Sequence, residues 1–264
     1  MPVVAANGLG FHVQELGSRP ARRVTDPTVG EASSSTVVMA HGLLIGSLAS
    51  WYFTAAPVLA RAHRVRMYDL RGHGRSDRPR SGFDLATMAA DLAALVADLD
   101  APFDLVGHSW GALVSLRFAI DHPGRVRRLA IVEAPLPPAR FAETTGFLAA
   151  TPDEMVDALP AALKDAIAGG RRQAGKLLAS LKYLVYETSL LSDLRATPDF
   201  ADDELARVRV PTLLAYGDAS SCRPAGERLA RTLPDASLRV LSGGHYLHLD
   251  AKDALAAALE EHLA

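Results

Sequence analysis

The stretch Phe103-Asp104-Leu105-Val106-Gly107-His108-Ser109-Trp110-Gly111-Ala112-Leu113 constrains this chain more than any other. A short apolar run meets Gly-x-Ser-x-Gly and passes directly into helical spacing, which reads as strand, sharp turn, helix. Such a turn lifts a serine above the carboxyl edge of a parallel sheet in a strained conformation where neighbouring Cβ atoms would collide. Gly107 and Gly111 remove those atoms. Ser109 then stands at a helix start, where unpaired N–H groups and the helix dipole favour the negative charge that forms during acyl transfer. The five-residue motif is short enough to arise by chance in a glycine-rich chain, so the strand and helix around it carry the inference.

The rest of the chain alternates strand and helix patterns. Val3 to Ala5 and Phe11 to Leu16 flank Asn7-Gly8, a tight-hairpin signature, and predict an opening β-hairpin. Gly17 to Ser35 is rich in Arg, Pro, Ser and Gly and reads as a long surface loop. Thr36 to Ala40 is a buried-type strand delivering His41-Gly42-Leu43-Leu44, followed by an amphipathic helix expected near Ser50 to Ala62. Val65 to Asp69 is the next strand. The spacing of Leu85, Met88, Leu92, Leu95, Val96 and Leu99 marks a helix capped by Asp84. After the elbow helix, Leu129 to Val132 is a strand closed by Glu133-Ala134-Pro135. From Leu136 to Val208 the pattern is helical and free of strands, with a capping signature at Thr151-Pro152-Asp153-Glu154. Alternation resumes with the strand Thr212 to Gly217, a helix from Pro224 to Thr232, the strand Ser237 to Leu241, Gly243-Gly244-His245 and a terminal helix to Leu263.

In this order the motifs resemble those of the α/β-hydrolase fold family, over nearly the whole chain. His41-Gly42-Leu43 looks like its oxyanion loop, and Asp69-Leu70-Arg71-Gly72-His73-Gly74-Arg75-Ser76 like the turn after its next strand. Gly107 to Gly111 looks like the nucleophile elbow and Gly243-Gly244-His245 like the histidine loop. The resemblance implies an α/β fold with a mostly parallel, eight-stranded sheet flanked by helices. Residues 1–135 and 209–264 would form the core and residues 136–208 a helical lid. It also implies Ser109 as nucleophile, His245 as general base, and the backbone N–H groups of Leu43 and Trp110 as oxyanion donors.

One position departs from the family pattern. The acid is expected three residues beyond the glycine of Gly217-Asp218-Ala219-Ser220, where this chain has serine. Two carboxylates can replace it. Asp218 reads also as a strand-end turn residue, whereas Glu133 closes a buried strand and there needs a partner. Glu133 is the preferred third member of the triad.

Other residues have simpler readings. His245 and His248 invite a metal hypothesis, but no third ligand cluster accompanies them, so no metal or cofactor is expected. His41 and His73 read as hydrogen-bonded turn residues, His248 as packed, His108 as a pocket residue, and Trp51 and Trp110 as either packing or substrate contacts. Cys222, the single cysteine, reads as a small packed hydrophobe. Phe141, Phe147, Leu148, Leu181, Tyr183, Leu184 and Tyr186 give the lid an apolar face, part of which would roof the pocket.

At 264 residues, 49% hydrophobic, the chain can bury one full core, and its formal charge of −2 supplies no basic field for nucleic acid or a membrane surface. With no signal-peptide pattern at Met1 to Gly8, the expected setting is cytoplasmic. The expected activity is hydrolysis of an ester, thioester or lactone with a hydrophobic acyl part, by a monomer or homodimer. Cyclisation, C–C bond hydrolysis and perhydrolysis could use the same serine, and a non-catalytic ligand-binding member of the fold is the alternative of another class.

Overall fold

The computed structural model describes residues 2–17, 35–99, 102–139, 151, 169–170 and 172–264. Its strands are β1 (Val3–Ala6), β2 (Leu9–Leu16), β3 (Thr36–Ala40), β4 (Arg64–Tyr68), β5 (Phe103–His108), β6 (Val126–Val132), β7 (Thr212–Gly217) and β8 (Ala236–Leu241). They form one sheet in the order β1-β2-β4-β3-β5-β6-β7-β8. The β1–β2 and β2–β4 pairs are antiparallel and every other pair is parallel. The opening hairpin turns on Asn7 and Gly8, at φ 48° and 75°, the left-handed pair that its sequence predicts.

Side chains alternate across this sheet with period two, and each face has its own core. Val38, Ala40, Leu105, Leu129, Ile131 and Leu214 point to one side. There they meet α3 (Leu85–Leu95), α4 (Trp110–Asp121), α5 (Arg172–Tyr186), α6 (Leu190–Ala196) and α8 (Arg223–Thr232). Val37, Met39, Val106, Ala130, Val132 and Leu213 point to the other. That side is covered by α1 (Ala49–Tyr52), α2 (Ala56–Leu59) and α10 (Lys252–Leu263). Because both faces are covered, the central strands read as unbroken apolar runs. A single-turn α7 (Asp202–Leu205) precedes β7, and α9 (Leu247–Asp250) precedes α10.

The helix expected over Ser50 to Ala62 is two short helices. Pro57 lies in the first turn of α2 and has no N–H to return to the carbonyl of residue 53, so a continuous helix would lose that bond. Thr54 instead donates its hydroxyl to the Ser50 carbonyl at 2.5 Å. Asp84 caps α3 as expected, accepting from the Thr87 N–H at 2.9 Å.

Of residues 136–208, those described include α5, α6 and α7 and no strand. The first two of these helices dock on the segment after β4: the Tyr183 hydroxyl donates to the Pro79 carbonyl at 2.8 Å, the Ser189 N–H to the Arg80 carbonyl at 2.8 Å, and the Phe83 N–H to Asp193 at 2.9 Å. Leu181 and Leu184 are buried, so they face the core, while Tyr186 is exposed. Residues 18–34 of the loop expected from Gly17 to Ser35, the capping residues Pro152 to Glu154 and the lid aromatics Phe141 and Phe147 with Leu148 lie outside the described residues.

Candidate active site

The chain crosses from β4 on one side of β3 to β5 on the other, so the loops after β3 and β5 open side by side at the carboxyl edge of the sheet. Ser109 follows β5 with φ 53° and ψ −121°, a strained left-handed conformation for a side chain with a Cβ. The close packing that holds it there depends on glycine. A Cβ on Gly107 would overlap the Gly111 carbonyl and Ala112, and a Cβ on Gly111 would overlap the His41 and Ala40 carbonyls.

Glu133 follows β6 in the same way that Ser109 follows β5. His108 and Val132 are register partners across the two strands, and Glu133 too has positive φ, 58°. Its carboxylate is fully buried. Oε1 accepts the Gly217 N–H at 2.5 Å, and Oε2 accepts the Ser220 hydroxyl.

His245 joins these two ends. Its Nε2 lies 2.9 Å from Ser109 Oγ and its Nδ1 3.2 Å from Glu133 Oε2. The loop that carries it is tied down by four hydrogen bonds: Asp218 accepts the Gly243 N–H at 2.9 Å, the Ala219 N–H donates to the Gly243 carbonyl at 3.0 Å, Asp250 accepts the Gly244 N–H at 2.9 Å, and His108 Nε2 donates to the His245 carbonyl at 2.8 Å. Asp218 therefore has the local backbone role of a turn residue, and the structure brings Glu133, not Asp218, to the imidazole.

Burial pushes the imidazolium of His245 down, but hydrogen bonds and charge from Cys222 and Glu133 outweigh it and raise the group to about 9. Cys222 is the neighbour that sequence reasoning missed. Its Sγ lies 3.5 Å from Nδ1, so the half-buried cysteine packs against the core as its sequence predicts and also borders the imidazole. No periodicity marks it, since it sits in the turn between β7 and α8.

The loop after β3 is fixed by two histidines. Nε2 of His41 accepts the Leu70 N–H at 2.9 Å and its Nδ1 donates to the Gly42 carbonyl at 2.7 Å. Nε2 of His73 accepts the Leu44 N–H at 2.9 Å and its Nδ1 donates to the Arg71 carbonyl at 2.8 Å. Burial keeps both neutral, His73 down to about 3. Leu43 is thereby held against the Ser109 end of the site, and the Trp110 N–H belongs to the first turn of α4, outside the intrahelical ladder. Trp51 and Trp110 are both fully buried and pack, with the Trp51 indole donating to the Ala40 carbonyl at 3.1 Å. His248 is packed as expected, 6.1 Å from the Trp51 ring between centroids.

A cavity of about 370 Å³ opens in front of Ser109, lined by Leu43, Ile45, Phe53, Tyr246 and Leu249 together with His108 and His245. Across the loop Leu44–Ser47 a second cavity of about 630 Å³ reaches Lys176, Leu177, Ser180 and Leu184 of α5. Among the described residues no helix is long and apolar enough to cross a membrane.

A family model described as the alpha/beta hydrolase fold matches residues 35–185. The chain belongs to the α/β-hydrolase fold family. A putative carbamate hydrolase from Variovorax paradoxus is 32% identical to this α/β-hydrolase over 83% of the chain and 87% of the relative. A non-heme chloroperoxidase from Streptomyces lividans is 31% identical over 81% of the chain and 86% of the relative. Among solved structures, the enol-lactonase from Burkholderia xenovorans matches with TM-score 0.73, covering 99% of each chain at 22% identity, a likeness of fold.

Proposed function

We propose that this α/β-hydrolase is a serine hydrolase that cleaves an ester, thioester or lactone through an acyl-enzyme on Ser109. The observation that carries the reading is the unbroken chain from Ser109 Oγ through His245 to Glu133, at 2.9 and 3.2 Å. A serine hydroxyl is a weak nucleophile until a neutral imidazole takes its proton, and the imidazolium then needs an anion. His245 takes the Ser109 proton as the hydroxyl attacks the carbonyl, Glu133 balances the imidazolium, and the N–H groups of Leu43 and Trp110 receive the oxyanion. His245 returns the proton to the leaving group. Water, deprotonated by the same ring, then releases the acyl group.

The lining of the 370 Å³ cavity by Leu43, Ile45, Phe53 and Leu249 supports an apolar acyl or lactone ring. Residues 136–208 act as the lid of this site, a reading supported by the contacts of α5 with the neighbouring cavity. The likeness to a non-heme chloroperoxidase favours one second reading, in which peroxide replaces water as acyl acceptor at the same serine. Serine at the elbow, where the epoxide-opening branch of the fold has aspartate, argues against that chemistry.

A fluorophosphonate probe tests the nucleophile: it should modify wild type and spare Ser109→Ala. Labelling that persists in Ser109→Ala refutes the assignment. Rates on acyl esters of increasing chain length and on lactones, with water or peroxide as acceptor, then separate the substrate classes.

A further inference from the structure

His245 Nδ1 faces two anionic or ionisable groups at once, Glu133 Oε2 at 3.2 Å and Cys222 Sγ at 3.5 Å. The three ligand atoms all lie within 4.8 Å of one another. A single N–H can satisfy only one such partner well, whereas a metal ion can bind all three. Zinc holds nitrogen and oxygen at about 2.0–2.1 Å and sulfur at about 2.3 Å, so tetrahedral edges are about 3.3 Å for N···O and about 3.5 Å for N···S. The two separations from Nδ1, 3.2 and 3.5 Å, already have those lengths, and Glu133 Oε2 and Cys222 Sγ lie within 4.8 Å of each other.

We propose that Glu133, Cys222 and His245 form an inhibitory site for a thiophilic divalent cation of the zinc type. The donor set is mixed carboxylate, thiolate and imidazole, a combination that suits zinc and leaves a fourth position for water. The carboxylate is held for the task by Gly217 and Ser220, and the His108 side chain fixes the backbone of His245. Such outer partners orient ligands and commonly change metal affinity 10–100-fold or so. Cys222 and His245 are both partly exposed, which gives the ion a way in.

Protons account for the inhibition. A metal on Nδ1 and Sγ displaces to solvent whatever protons those two atoms carry and leaves the imidazole one proton, on Nε2. Nε2 then donates to Ser109 Oγ, 2.9 Å away, and cannot accept its proton. No electron moves, and removing the ion restores the thiol and the basic Nε2. The inhibitory half of this inference rests on the serine-hydrolase reading; the binding half does not.

Cobalt(II) is the probe. Added to the tag-free, chelator-treated full chain, it should bind once per chain and give the near-ultraviolet charge-transfer band of a cobalt–thiolate bond. The chain has one cysteine, so that band can arise only at Cys222. Cys222→Ser should abolish it, and His245→Asn and Glu133→Gln should each weaken cobalt binding about tenfold or more. Circular dichroism checks each variant, and His245→Asn decides the matter should Glu133→Gln not fold. Zinc should bleach the band and stop ester hydrolysis over the same concentration range, and a chelator should reverse both. Absence of the band in wild type overturns the proposal, as does a band of unchanged affinity in the folded variants. Zinc that bleaches the band and leaves hydrolysis intact overturns the inhibition. A wild-type chain that shows the band but hydrolyses nothing supports the ion site and counts against the serine-hydrolase reading.

Discussion

The Ser220 hydroxyl donates to Oε2 of Glu133, the same oxygen that faces His245 Nδ1 at 3.2 Å. Two loops, after β6 and after β7, thus converge on one edge of the imidazole. Glu133→Gln should lower turnover of an activated ester by about 10⁴, the scale of losing a triad acid, while Asp218→Asn stays near wild type. Adding Ser220→Asp to Glu133→Gln places a carboxylate on the second loop and should recover about 10²-fold. Steady-state rates with melting curves check all three variants. A double variant no faster than Glu133→Gln would mean that position 220 cannot reach the ring.

Glu133 was legible because a carboxylate closing a buried strand needs a partner, and Ser109 because only glycines at 107 and 111 allow its turn. Cys222 was not. Its approach to His245 depends on how the β7–α8 turn and the histidine loop fold back on each other, a tertiary fact that no local pattern records. The break between α1 and α2 was visible in Pro57 once the N–H it lacks is considered.

The acidic limb of the rate profile should report His245. The proposed base works as neutral imidazole, so kcat/KM should rise as pH climbs through about 9. Cys222→Ala removes one of the groups that hold the imidazolium and should move that limb to lower pH. His108 packs on the same ring and His248 packs on His108, but burial keeps both neutral, His248 down to about 4, so neither titrates in that window. A limb unmoved by Cys222→Ala would show that Glu133 alone sets it.

Stability follows the same group with the opposite sign. The folded chain holds a proton on His245 up to about 9, whereas the unfolded chain releases it near 6.5. The resulting stabilisation is complete below 6.5 and is lost as pH rises through about 9. Urea midpoints of wild type and His245→Asn should therefore converge across that interval.

His73→Ala should strand the buried Leu44 N–H and cost about 1–3 kcal/mol of stability. It should also lower kcat and raise KM together, since the loop it releases carries both the proposed oxyanion donor Leu43 and the cavity-lining Ile45. His73→Gln, which can restore an acceptor, should return part of both. Thermal melts and Michaelis–Menten kinetics measure the two effects.

Arg71 and Asp91 form a buried bidentate pair at 2.6 and 2.7 Å, with Asn7 donating to the same carboxylate at 3.0 Å. Asp91→Ala leaves a buried guanidinium uncompensated and should cost about 3–5 kcal/mol, read from denaturant unfolding. Replacing both residues, Arg71→Met with Asp91→Leu, should cost less than the single change.

Ser109 and Glu133 each extend one of two hydrogen-bonded strands by a single residue, from register partners His108 and Val132. One strand spacing, not a loop, sets the span between them. On the proposed reading, the segment after β7, where the family pattern places its acid, need not supply one. Its exposed positions Ala219 and Ser221 should accept other side chains, provided Gly217, the Asp218 tether to Gly243, Ser220 and Cys222 are kept.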